Sequence, residues 1–160
     1  MSKEERRKQI EDAATIKNKI MAQEDKDLLF KDFCARLPYK LKVKVPTLQE
    51  DAIFTLVNIC EDYITVMKDN GSCFDIYNSI EVFPFLRPMS SMTEEEKQEI
   101  KQISTYYLDE WLNAKTSSDK WKIDAKVSYM RSVFYNSHHI DWNGLIEKGL
   151  ALEASKDMYK

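Results

Sequence analysis

The sequence predicts an α+β fold: N-terminal helices, a small antiparallel four- to five-stranded meander, then C-terminal helices. Three observations carry this. The apolar period is helical up to residue 37, falls to two between residues 39 and 85, and becomes helical again after a capping box at Thr93. The strands are short and their links are too brief for helical crossovers, so the sheet is antiparallel. Size and tight turns suggest an SH3-like or Sm-like partly open barrel, which is a statement about fold and not about function.

Residues 1–24 read as an N-terminal amphipathic helix or arm, because Ile10, Ala13, Ala14, Ile16 and Ile20 recur among charged residues over 3–22. That stripe is thin, and an isolated helix of this length is marginal in water. Residues 25–160 form a single domain. Its first helix covers 25–38, where Leu28, Leu29, Phe33, Cys34 and Leu37 make a packed stripe that Pro38 stops. The sheet occupies 39–85. Leu41, Val43 and Val45 alternate with lysines, residues 52–59 and 63–67 are rich in β-branched and aromatic side chains, and Asn70-Gly71 signals a type I′ hairpin into 74–77. A turn at Asn78-Ser79 leads into a last strand at residues 80–83, and Pro84 to Met92 reads as a linker.

The helical part covers 93–151. Thr93 and Glu96 form a capping box, and the stripe Ile100, Ile103, Tyr107, Trp111 extends one helix to about Ser117. The next helix runs from about Ser118 to Asn136. Trp121, Ala125, Tyr129 and Val133 line one face, and Ile123, Val127, Met130 and Phe134 the adjoining one, which predicts deep burial. Residues 139–151 read as a turn and a short helical turn between Gly144 and Gly149 that dock on the body.

Composition narrows the class. The 160 residues are 43% hydrophobic and 32% charged, the balance of an ordinary globular domain, and a chain of this length holds a core without staples. Cys34, Cys60 and Cys73 are odd in number, lack CxxC spacing and have apolar neighbours, so the expectation is buried free thiols in a reducing, cytoplasmic compartment. The charged start lacks the apolar core of a signal peptide, and no run of about 18 apolar residues exists to span a membrane. Residues 1–45 carry 12 Lys/Arg against 8 Asp/Glu, and residues 46–160 carry 12 against 19, within a net charge of −3.

Two stretches, Leu86-Arg87-Pro88-Met89-Ser90-Ser91-Met92-Thr93-Glu94-Glu95-Glu96 and Gly144-Leu145-Ile146-Glu147-Lys148-Gly149-Leu150-Ala151, resemble stretches of a family of uncharacterised proteins encoded by gut bacteria and their phages. Cys34-Ala35-Arg36-Leu37-Pro38-Tyr39 is similar to the string that leads into the strands in that family, with Lys40 where the family has glycine. His139-Ile140-Asp141-Trp142-Asn143 is similar to the segment before its Gly-Leu-Ile motif, with Trp142 and Asn143 replacing tyrosine and arginine. The resemblance covers residues 25–160. It implies a phage-related provenance in a bacterial host cell; with no activity assigned to the family, nothing catalytic carries over.

Chemistry-bearing motifs are sparse. Three glycines leave no phosphate-cradling loop. His138 and His139 are adjacent and so diverge as metal ligands, and the His139-x-Asp141 string has no companion nucleophile. Neither catalytic residues nor metal ligands nor a cofactor are expected. Arg87, fixed beside Pro88, pairs either with an acidic helix of its own domain or with a ligand. Arg87, His139, Asp141 and the loop residue Trp142 make the candidate binding surface. The preferred reading is a non-enzymatic interaction protein that binds a protein partner, with no membrane involved. The alternative is a nucleic-acid-binding module using the small β-barrel, with Lys40, Lys42 and Lys44 on one strand face. A small enzyme around His139 and Asp141 comes third.

Overall fold

The structure, a computed structural model, describes residues 23–77 and 79–160, and the helix expected over 3–22 lies outside them. Helix α1 (Gln23–Arg36) turns Leu29 and Phe33 into the core and ends in a 3-10 turn (Leu37–Tyr39) that contains Pro38. Strands β1 (Lys42–Lys44), β2 (Ile53–Ile59), β3 (Ile64–Met67) and β4 (Cys73–Ile76) follow. A second 3-10 turn (Ser79–Glu81) leads to β5 (Phe83–Leu86), and a third (Met89–Ser91) to helix α2 (Glu94–Tyr106). Helices α3 (Leu108–Asn113) and α4 (Ser117–Ser137) complete the helical part, and β6 (Leu152–Glu153) closes the chain's sheet.

The strands form an open sheet in the order β4-β3-β2-β1-β5-β6, not a closed barrel. Its first four strands are the antiparallel run the period predicts, and no helix interrupts residues 52–68. The meander then breaks: β5 returns to the free side of β1 instead of pairing with β4, and β6 adds parallel to β5. Both departures have a local cause. Pro84 has no N–H, but it sits opposite Val43 inside β5, so a segment that reads as a linker serves as a strand. Beside it the Tyr159 hydroxyl accepts from the Lys42 N–H (3.1 Å) and donates to the Phe85 carbonyl (2.7 Å), standing in for a ladder bond.

One face of the sheet is apolar. Val43, Phe54, Leu56, Ile64, Val66 and Leu86 pack with Leu29 and Phe33 of α1 and with Leu145, Leu150 and Ala151 from the C-terminal segment. The β3–β4 hairpin is not the expected type I′ turn. Gly71 N–H bonds to the Lys68 carbonyl, Lys68 N–H to the Ser72 carbonyl, and only Gly71 takes a positive φ (86°), the arrangement of a type I turn closed by a glycine bulge. The cysteines also depart from expectation: Cys34 and Cys73 face outward from α1 and β4, Cys60 is half-buried, and all three are free.

The capping box forms as the sequence predicts. Thr93 Oγ1 accepts from Glu96 N–H (3.2 Å) and Glu96 Oε2 from Thr93 N–H (2.8 Å). The helix it starts does not run on to Ser117, because Tyr107 (φ −96°, ψ 0°) breaks it into α2 and α3. Nor is α4 deeply buried: Ile123, Phe134 and Asn136 are its buried residues, while Trp121 and Tyr129 are 71% and 66% exposed. Two apolar faces need two neighbours, and α2 with α3 cover only one.

Lys40 occupies the left-handed region (φ 56°, ψ 48°), which takes Lys40 off the strand face expected of it. A side chain there strains the backbone by more than glycine's extra chain entropy costs, so Lys40→Gly is expected to stabilise the fold by roughly 0.5–1 kcal/mol. The midpoint of urea unfolding should rise, and a fall would show that the lysine side chain makes a contact outweighing the strain.

Candidate functional site

Of the four residues expected on a binding surface, His139 and Asp141 lie inside a buried junction between α1, β5 and the end of α4, and Arg87 lies half-buried at its side. Its centre is Arg36, whose side chain is fully buried. Arg36 Nε donates to Asp32 Oδ2 (2.8 Å), one turn back on α1, and Nη2 to the Ile140 carbonyl (2.8 Å). Nη1 reaches the Tyr135 carbonyl at 3.4 Å. The guanidinium thus caps the negative end of the α4 dipole, where free carbonyls collect. Asp32 takes a longer bond from Asn143 Nδ2 (3.4 Å), and burial pushes its carboxyl above the usual range against the pull of Arg36.

Helix α4 ends in a Schellman arrangement. Ile140 N–H bonds to the Tyr135 carbonyl and His139 N–H to the Asn136 carbonyl, with His139 at φ 55° where glycine is usual. This geometry turns the His139 ring inward. It is 4% exposed and lies on the Tyr159 ring at 3.7 Å between centroids, and its Nδ1 has no hydrogen-bond partner. Burial, then the Arg36 charge, lower its pKa to about 4, so the ring is neutral at physiological pH.

Asp141 is buried as well. Both its carboxylate oxygens accept backbone N–H groups, from Leu145 (2.8 Å) and Ile146 (2.9 Å), so it caps the turn at Gly144 and does not orient His139. Arg87 grips Glu96 with two bonds (2.7 and 2.9 Å), which holds the Glu96 carboxyl below its ordinary range, and also reaches the Ser91 carbonyl (3.1 Å). Its backbone joins the junction too: Arg87 N–H bonds to the His139 carbonyl, and Asp141 N–H to the Arg87 carbonyl. Arg87, His139 and Asp141 are therefore brought together by backbone bonds, with His139 and Asp141 buried and Arg87 half-buried against Glu96. Trp142 is half-exposed, donates Nε1–H to Asn136 Oδ1 (2.9 Å) and stacks on Tyr135.

Of the three lysines, Lys42 and Lys44 stay half-buried on the outer sheet face. Lys42 Nζ donates to Thr55 Oγ1 (2.9 Å) and lies 3.7 Å from Asp69. Among the described residues, no group of three His, Cys, Asp or Glu is placed to hold a metal ion, and no helix is long and apolar enough to cross a membrane.

Accessible apolar surface gathers elsewhere, on the arm formed by α2, α3 and α4. Trp121 and Tyr129 stand two turns apart on α4 with Ala125 between them, one exposed stripe. Leu112 and Tyr106 are 62% and 81% exposed. A groove of about 510 Å³ separates α4 from α2 and α3, with Leu108, Trp111, Ile123 and Val127 among its lining. The sequence pattern assigns Trp111, Trp121, Ile123, Val127 and Tyr129 to apolar faces expected in the core, and it leaves Tyr106, Leu108 and Leu112 unassigned. The buried pair Asp32–Arg36 it missed, although an acid and a base four apart on a packed helix are the available signal.

Compared with known proteins, the chain matches no family model, no curated protein and no solved structure.

Proposed function

We propose that this chain is a non-enzymatic interaction protein of phage or mobile-element origin, acting in the cytoplasm of a bacterial host, and that its helical arm binds a protein partner. The observation that carries the reading is the exposed stripe of Trp121, Ala125 and Tyr129 on α4. Large aromatics left in water on a folded helix are the residue type that anchors protein interfaces. The provenance rests on the resembling strings. These carry structural contacts: Arg36 lies in the string 34–39, Arg87 and Glu96 in 86–96, Asp141 in 139–143, and Leu145 and Leu150 in 144–151. The stripe lies outside the four quoted strings.

The nucleic-acid reading has weaker support, since the Lys42 ammonium is engaged by Thr55 and Asp69 and the chain is acidic overall. A reaction at His139 and Asp141 has none in the geometry, because both groups are buried and separately engaged.

The test uses the full chain as bait in a gut-bacterial host. A protein captured by the wild type is expected to be lost from Trp121→Ala/Tyr129→Ala, with affinity falling roughly 30-fold per anchor and the circular dichroism spectrum unchanged. Retention of that partner by the double variant, or capture that nuclease treatment abolishes, overturns the reading.

A further inference from the structure

The groove between α4 and the α2–α3 side is a different face from the aromatic stripe, and its chemistry is self-complementary. On α4 the lining residues Asp124, Val127, Ser128 and Arg131 are spaced i, i+3, i+4 and i+7, so they share one face. An acid stands at one end of that face and a base at the other, with an apolar and a small residue between them. Asp124 has no ion pair among the described residues, and the Arg131 guanidinium is held only by the Ser104 hydroxyl.

We propose that this face pairs with the same face of a second copy of the chain, α4 lying antiparallel to its counterpart about a two-fold axis that passes between Val127 and Ser128. Positions 124 and 131 are equidistant from that axis. The rotation therefore sets Asp124 of each copy against Arg131 of the other and gives two identical ion pairs from one surface, the condition for an isologous interface. At the centre Ser128 is small enough to let the two helices approach, and Val127 is covered together with the groove-lining Leu108 and Trp111. The pairing also answers the packing deficit of the arm. No residue of α2 or α3 is buried, and a second arm laid on this face covers the apolar lining of the groove that one arm leaves open. An unrelated partner would have no need of opposite charges placed symmetrically about an apolar centre.

The proposal does not rest on the heterologous partner and is tested without one, by sedimentation of the full chain over a wide range of concentration. A dimer is expected. Asp124→Arg and Arg131→Asp should each weaken it roughly 100-fold, because each sets like charges face to face at two places. The double variant Asp124→Arg/Arg131→Asp restores opposite charges in the swapped order, and dimerisation should return with it. Val127→Glu, which puts a charge beside the axis, should leave a folded monomer by circular dichroism. A wild-type monomer at every concentration, single variants that dimerise as well as wild type, or a charge swap that fails to recover each overturns the proposal.

Discussion

Replacing Arg36 by methionine is expected to cost about 3–5 kcal/mol in a denaturant titration. The side chain is fully buried, and its removal takes one donor from three groups at once, the Asp32 carboxylate and the carbonyls of Ile140 and Tyr135, and leaves the buried carboxylate without its cation. Methionine fills much of the volume, so the loss is electrostatic and not that of a cavity. A second variant separates the two parts of the cost. In Asp32→Leu/Arg36→Met both charges are gone, and part of the stability should return, because an absent buried ion pair is less damaging than a broken one. Full recovery is not expected, since the Ile140 carbonyl keeps only the Trp142 N–H (3.0 Å) of its two donors, and a lost hydrogen bond costs about 0.5–1.5 kcal/mol net. A single variant that unfolds at the wild-type denaturant concentration would mean that water replaces the guanidinium at little cost.

Local rules made much of the fold readable. Helix α1, strands β1 to β4 and the Thr93 cap each depend on residues within one or two turns of chain, where period and side-chain chemistry decide the outcome. What was not readable depends on distant partners. Pro84 reads as a breaker until Val43 and the Tyr159 hydroxyl are beside it, 41 and 75 residues away in sequence. The two-residue strand β6 has no period of its own and exists because β5 offers an edge. The apolar count of α4 is correct, but burial is a property of neighbours, and the neighbours are missing on one side. The surroundings of the candidate site residues depend on distant partners too. Arg87, His139 and Asp141 are unusual enough in their local setting to draw attention, yet their partners Glu96, Tyr159 and the amides of Leu145 and Ile146 make them structural. Only Arg87 had its internal pairing with an acidic helix among the readings open from sequence.

The fold should lose about 2 kcal/mol between pH 7 and pH 5, and His139 should account for the loss. Its ring is buried against Tyr159 and faces the charge of Arg36, with smaller contributions from His138 and Arg87, while a hydrogen bond to the Tyr39 backbone pulls weakly the other way. The folded pKa is about 4 against an ordinary 6.5. Above pH 6.5 both folded and unfolded chains hold the ring neutral, and it contributes nothing to pH dependence. As the pH falls below 6.5 the unfolded chain takes up the proton first, which favours unfolding, and the loss grows until the folded value is reached, to a limit of about 3 kcal/mol. Carboxylates such as Glu96, held low by Arg87, lose stability in the same sense but at lower pH, whereas the raised carboxyl of Asp32 acts in the opposite sense, so a variant without the imidazole is needed to isolate the histidine. His139→Asn is the control, because asparagine tolerates the left-handed backbone at φ 55° and does not titrate. Its stability at pH 7 should be lower, for want of the Tyr159 stack, but level across the interval. A wild-type curve as flat as the variant's would show that the folded chain accommodates the imidazolium, with the tail carrying Tyr159 moving aside to let water reach Nδ1.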